Sequence, residues 1–292
     1  MKPQVDMHMH SWYSDGSYSP EIMAMAATGL QAACLTDHDN VMGVAEFLDT
    51  AQKIGIDTMP AFEGSTLFHG VEVHIGGYDI NYQNQVFQKK LLEVTDMRHR
   101  RAERILTLTM KLLDLPQVDF KEVVRESDSH GPYFGAWWSR DYLLKEHGIS
   151  YQVSKQLTSR GGRAYVPYEE ECLMQPTELI EFIKYYGGEA CLMHPGEALR
   201  RLVRLTNSEQ RGRTKFYTLL RQLVEAGLIA MEVFSPKHNI EETTEFFDIA
   251  KRFNLIMTAG SDNHGRFTSK VPIGREGMSY DDFKRFREKI HS

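Results

Sequence analysis

Short apolar runs alternate with longer amphipathic stretches along this chain, and that alternation restricts the possible fold more than any other feature. The runs Val5–His10, Ala32–Thr36, Thr58–Glu63, Val71–Tyr78, Ala190–Met193, Ala230–Val233 and Ile256–Ala259 read as strands. Helical patterning over Pro20–Thr28, Val41–Ile54, Pro176–Tyr186, Thr214–Ala226 and Ile240–Phe253 falls between them. Ser19-Pro20 supplies an N-cap and first turn, and Gly29 and Gly227 each follow a last turn. Strands and helices that take turns build βα units, so the pattern predicts an α/β fold with seven strands in a barrel or curled sheet. The alternation lapses between about residues 81 and 163, where Tyr82–Leu113 is rich in helix formers. A mainly helical insertion is expected over 81–163, with 1–80 and 164–292 forming the barrel. The basic run from Arg98-His99-Arg100-Arg101 to Arg104 reads as a solvated helix face.

At 292 residues the chain suits one domain with an insertion better than two independent domains. Thirty-four Lys and Arg against 40 Asp and Glu leave a net charge of −6, which disfavours a long polyanion such as duplex DNA but not a small anionic substrate. Cys34, Cys172 and Cys191 are odd in number and widely spaced, as expected of reduced thiols in the cytoplasm. The amino terminus has no apolar signal region, and no apolar run reaches the roughly 18 residues that would span a membrane.

The chemistry is concentrated at the strand ends. His8 and His10 stand two apart in a predicted strand, so their side chains leave the same face and can share an ion. Asp15 follows that strand, His38 the next and Glu63 the third; His74 lies within the fourth. His194, Asp262 and His264 complete the set. Taken singly, Asp15 suits a turn, His74 a packed sheet and Asp262 a helix cap. Barrel strands bring their carboxyl ends to one mouth, and nine imidazoles and carboxylates converging there point to a metal centre. The donor set suits zinc, manganese or iron, and the absence of a thiolate disfavours a structural zinc site.

These residues resemble the PHP family, named for polymerase and histidinol phosphatase. The motifs are Asp6-x-His8-x-His10, Ser14-Asp15-Gly16, Thr36-Asp37-His38, Glu63, His74, His194-Pro195 and Ser261-Asp262-x-His264, spanning nearly the whole chain. Their form is most similar to the branch containing nucleoside 3′,5′-bisphosphate phosphatases and small exonucleases. The resemblance implies a distorted seven-stranded barrel, two to three divalent ions (Mn, Fe or Zn) and hydrolysis of a small phosphate ester by a metal-bound hydroxide. Carried over by position, it implies one ion on His8, His10, Glu63 and Asp262, a second on Glu63, His74 and His194, and a third on Asp15, His38 and His264. Asp37 and Asp39 are then expected to be loop residues or supports able to orient a ligand imidazole rather than ligands themselves, and His264 is a candidate proton donor or acceptor.

The chain departs from that branch where substrate is read. An Arg-x-His-x-x-Arg-like segment is replaced by Gly135-Ala136-Trp137-Trp138-Ser139-Arg140, an arginine after His-Pro-Gly by Glu197, and a lysine before Tyr165 is displaced by Arg163. Arg140, Arg163, Arg200, Arg201 and Trp137 are therefore the candidate substrate contacts, with Trp137 and Trp138 suited either to stacking or to core packing. A nucleoside 3′,5′-bisphosphate is the expected substrate and phosphoribosyl 1,2-cyclic phosphate the alternative. C–N bond hydrolysis fits the order of the candidate ligands poorly, and a non-catalytic module fits poorly with all nine positions filled.

Overall fold

The computed structural model describes residues 4–127, 130–131, 133–169, 172–268 and 271–290. Its strands form two hydrogen-bonded sheets, one of two strands and one of five, where the alternation leads to the expectation of seven strands in a barrel or curled sheet. β1 (Val5–Asp6) pairs in parallel with β2 (Ala32–Ala33). In the larger sheet, β3 (Ala61–Phe68), β4 (Val71–Tyr78) and β5 (Glu189–Leu192) run antiparallel in succession. β6 (Ala230–Phe234) and β7 (Ile256–Ala259) then continue in parallel. Individual hydrogen bonds join the sheets at both seams: Met7 N donates to Ala259 O at 3.0 Å, Asp262 N to His8 O at 2.8 Å, and Asp39 N to Glu63 O at 2.9 Å. The ladders stop there because Asp39 (φ 51°) and Asp262 (φ 50°) leave the extended region.

Local sequence explains the framework. The β3–β4 hairpin turns on His69 and Gly70, both with positive φ, as the tight turn between right-twisted strands requires. At the β7–β1 seam Gly260 permits a close approach, because a Cβ there would stand 2.1 Å from the Cβ of His8. The larger sheet and its core are covered by α7 (Pro176–Tyr185), α8 (Pro195–Thr206), α9 (Glu209–Glu225) and α10 (Ile240–Arg252). Leu179, Ile183, Leu220 and Phe246 from these helices bury against Phe62, Ile75, Leu192 and Val233. Each such side chain contributes about 1.5–3 kcal/mol by leaving water. α10 starts on a reciprocal cap between Asn239 and Glu242. A second core of Met7, Tyr78, Met193, Phe283 and Phe286 is closed by α11 (Tyr280–Ile290).

Residues 85–158 supply α3 (Gln85–Leu112), α4 (Phe120–Glu126), α5 (Ala136–His147) and α6 (Tyr151–Thr158). Ala102, Leu106, Phe120, Phe134, Trp138 and Leu143 give these helices a core of their own. Trp138 is thus a packing residue, and its indole Nε1 donates to Ser14 O at 3.2 Å, beside Asp15. The basic run on α3 is not a solvated face. Arg98 and Arg101 are buried, Arg98 donating at 2.7 Å to both Asp39 and Glu72, and Arg101 donating at 2.9 Å to Val166 O. One face of α3 carries both and lies toward the sheet, whereas Arg100 and Arg104 point to solvent. No helix among the described residues is long and apolar enough to cross a membrane.

Candidate metal centre

The seams of the two sheets bring the candidate ligands together. His8 Nε2 lies 3.1 Å from His10 Nε2 and 3.2 Å from both Glu63 Oε2 and Asp262 Oδ1. His10 Nε2 is 3.0 Å from Asp262 Oδ1 and 3.3 Å from Glu63 Oε2. Donors bound about 2.0–2.2 Å from one tetrahedral ion stand roughly 3.3–3.6 Å apart, so this quartet has close to the spacing of a shared ion. On its other oxygen, Glu63 meets His74 Nδ1 and His194 Nε2, both at 2.8 Å, and those two nitrogens are 3.3 Å apart. His38 Nδ1 is also 3.2 Å from Glu63 Oε2, which ties His38 to the oxygen of the first group as well as to the third group. In the third group, Asp15 Oδ1 lies 3.2 Å from His264 Nε2, 3.8 Å from His38 Nε2 and 3.9 Å from His10 Nδ1.

Eight of the nine predicted residues therefore fall in three overlapping groups that pivot on Glu63, His10 and His38, and His194 adjoins them through Glu63 and His74. The atoms fit divalent ions: Asp15 Oδ1 and His38 Nδ1 are buried without a hydrogen-bond partner, the state expected of donors meant for a cation. Electrostatics agree. Burial resists protonation of His10, but Asp262 and Glu63 outweigh it and lift its pKa to about 9. The same contest, with Glu63 and Glu72 as the carboxylates, lifts His74 to about 9. Burial dominates at His38 and pushes its pKa well down. Ions entering the cluster must displace protons from His10 and His74, so they bind more tightly as pH rises toward 9.

A surrounding shell fixes these groups. Glu232 accepts at 3.2 Å from His8 Nδ1, which turns His8 Nε2 to the quartet, and at 2.7 Å from the His194 backbone N–H. Asp6 accepts from the backbone N–H groups of His8, Ser261 and Gly274, bracing the seam. Asp37 and Asp39 do not touch ligand imidazoles. Asp37 holds Ser11 and Ser14, with Ser14 Oγ 3.4 Å from His10 Nδ1, and Asp39 holds Ser65 and Arg98. His264 Nδ1 is engaged at 2.8 Å by Asp262 O, so Nε2 is the atom offered to Asp15.

Above the cluster opens a cavity of about 900 Å³, within the range of small-molecule sites. Asp15, His38, His74 and His264 lie along it, and Trp137, Arg140 and Arg201 are among its walls. Arg140 donates to Thr158 Oγ1 at 2.9 and 3.1 Å, and Trp137 packs 4.7 Å from the Tyr151 ring. Arg163 is exposed away from the wall, where Lys155 and Arg160 stand instead. Arg200 faces a separate groove, paired with Glu242. Sequence reasoning passed over Arg98, Glu232 and Lys237. A lone acid in Ala230–Phe234 signals Glu232, because a charge inside an apolar strand needs a partner; nothing in Ser235-Pro236-Lys237 singles out the lysine.

The PHP domain profile matches residues 6–188. The "5'-3' exoribonuclease Rnm" of Escherichia coli strain K12 is 27% identical over 273 residues, covering 89% of this chain and 84% of that protein. Eggerthella lenta "phosphoribosyl 1,2-cyclic phosphate 1,2-diphosphodiesterase" is 24% identical over 285 residues, covering 91% and 96%. The "3',5'-nucleoside bisphosphate phosphatase" of Chromobacterium violaceum is 26% identical over 264 residues, covering 89% and 87%. A crystal structure from Bifidobacterium adolescentis, of a protein proposed to be a metal-dependent phosphoesterase, superposes with a TM-score of 0.81 over 98% of this chain and 96% of that one. At 22% identity that likeness is one of fold.

Proposed function

This chain belongs to the PHP domain family, and from that premise we propose that its cavity releases phosphate from a nucleoside 3′,5′-bisphosphate or a similarly small phosphate ester. At the coarser level it is a metal-dependent phosphoesterase. The observation that carries the reading is Glu63, buried with one carboxylate oxygen among His8, His10 and His38 and the other between His74 and His194. Two to three divalent ions (Mn, Fe or Zn) are assigned to the three groups as ligated by the nine residues. When bound, they supply Lewis-acid activation of water and screening of the phosphate charge. Glu232 keeps His8 turned inward, and Asp37, through Ser14, steadies His10. The side chains of Arg140, Arg201 and Trp137 present charge and a ring face to the rest of the substrate. His264 serves as a ligand in this scheme rather than as a free acid, because its Nδ1 is already engaged.

The same reading takes the two sheets, joined at both seams, as one distorted seven-stranded barrel, with residues 81–163 capping the substrate pocket. A cytoplasmic location accords with the free thiols of Cys34, Cys172 and Cys191. The partner is a small phosphorylated molecule or a single-stranded RNA end, the latter prompted by the Escherichia coli relative, and the charge of −6 still disfavours duplex. Phosphoribosyl 1,2-cyclic phosphate is the second substrate, prompted by the Eggerthella lenta relative. Phosphate release by the manganese-loaded protein from the bisphosphate and the cyclic ester, assayed side by side, tests the choice. Faster turnover of the bisphosphate is expected, with KM raised about 10-fold by Arg140→Ala through loss of one charged hydrogen bond. Preference for the cyclic ester, or an unchanged KM, would overturn that assignment.

A further inference from the structure

We propose that Lys237 is a substrate-binding residue of the reaction centre, its ammonium hydrogen-bonding a non-bridging oxygen of the scissile phosphate. The inference rests on the phosphoesterase reading above. Lys237 stands in the loop after β6, and its Nζ donates to Asp262 Oδ2. The other oxygen of that carboxylate, Oδ1, faces His8 Nε2 and His10 Nε2 at 3.2 and 3.0 Å. A single carboxylate therefore separates the ammonium from the first group of candidate ligands. Glu197 Oε2 lies on another side at 3.9 Å, too far for a hydrogen bond.

An ammonium has three donors, and Asp262 engages one of them. The side chain keeps 32% exposure and lines the same cavity as Asp15, His38, His74 and His264. Its remaining donors are thus available where a phosphate bound over those groups would lie. Of the neighbouring arginines, Arg98 is committed to Asp39, Ser65 and Glu72, and Arg201, held by Glu197 and the Glu72 carbonyl, is left to face the rest of the substrate. Charge balance supports the assignment. A lysine beside divalent ions is repelled by them, and an anion entering the cavity offsets that repulsion. The competing role, a counter-ion for Asp262 alone, makes a different prediction, because it moves metal affinity and leaves phosphate affinity untouched.

Lys237→Met and Lys237→Arg, saturated with manganese and matched in metal content, separate the two roles. Inorganic phosphate is titrated calorimetrically into each and used as an inhibitor of p-nitrophenyl phosphate hydrolysis. Lys237→Met should bind phosphate at least about 10-fold more weakly, as expected for one charged hydrogen bond, and lose about 100-fold in kcat/KM. Lys237→Arg, which keeps the charge, should recover most of the phosphate affinity. Unchanged phosphate affinity in Lys237→Met, or a loss only in proportion to lost manganese, would overturn the proposal. Should the unsubstituted protein hydrolyse no phosphoester, the phosphoesterase reading fails, while calorimetry still decides whether Lys237 holds the anion.

Discussion

Glu63→Gln is expected to lower phosphate release by at least about 1,000-fold, equivalent to roughly 4 kcal/mol of transition-state stabilisation. The substitution keeps the shape of the side chain but removes the charge shared among five imidazoles: His8, His10, His38, His74 and His194. Burial alone would raise the pKa of Glu63, but the imidazoles of His38, His74, His8 and His194 hold it well below the glutamate range. An amide binds divalent ions weakly and cannot bridge two of them, so the first two groups should lose affinity together. The check is phosphate release and bound manganese measured on one sample, with Glu245→Gln as a comparison. Glu245 pairs with Arg213 on an outer groove and should leave both quantities unchanged. A Glu63→Gln protein with full activity would remove the metal centre from the account.

The second large effect is on stability. Arg98→Met should cost about 3–5 kcal/mol, because it leaves the buried Asp39 carboxylate without its cation and removes one of the positive charges around Glu72. Ser65 remains as a neutral donor to Asp39 and does not replace the charge, whereas Glu72 keeps Tyr168, His74 at 3.3 Å and Arg201 at 3.7 Å. The cost should depend on pH. Burial pushes Glu72 up, yet Arg98 and His74 outweigh it and hold its pKa well below the ordinary 4.5. A depressed carboxylate contributes stability that is present above its unfolded pKa and lost as pH falls through the folded one. The deficit of Arg98→Met should therefore be largest at neutral pH and narrow in acid. Urea unfolding of both proteins at pH 7.5 and at a series of values below pH 4.5 measures it; a deficit below about 1 kcal/mol at pH 7.5 would place Arg98 outside the supporting framework.

Much of this arrangement was legible from residue order because strand ends carry chemistry here. Each predicted strand overlaps an observed one, and the structure brings eight of the nine candidate ligands into three metal-sized groups with His194 beside Glu63. The errors have physical causes. Val5–His10 and Ala32–Thr36 shorten to two-residue strands because the residues beyond them spend their backbone groups across the seams. β3 was expected to end at Glu63, yet it continues through Gly64-Ser65-Thr66 to Phe68. Small polar residues look like a loop, and only the approach of Asp39 and Arg98 makes a buried Ser65 affordable. Helix α8 (Pro195–Thr206) went unread because His194-Pro195-Gly196 resembles a turn, although Pro at the first helical position is favourable. The buried arginines of α3 escaped notice for the opposite reason: charge patterns show polarity, and burial of a charge depends on partners far away in sequence, here 59 residues for Asp39.

Manganese stoichiometry alongside phosphate release tests the central claim most directly. The protein is stripped with a chelator, manganese is returned in steps, and bound metal and phosphate released from p-nitrophenyl phosphate are read at each step. The account predicts an inactive stripped protein whose hydrolysis returns as two to three ions bind, and a Glu63→Gln variant that recovers neither. Phosphate release that survives complete removal of metal, or metal that binds without restoring any hydrolysis, would contradict it.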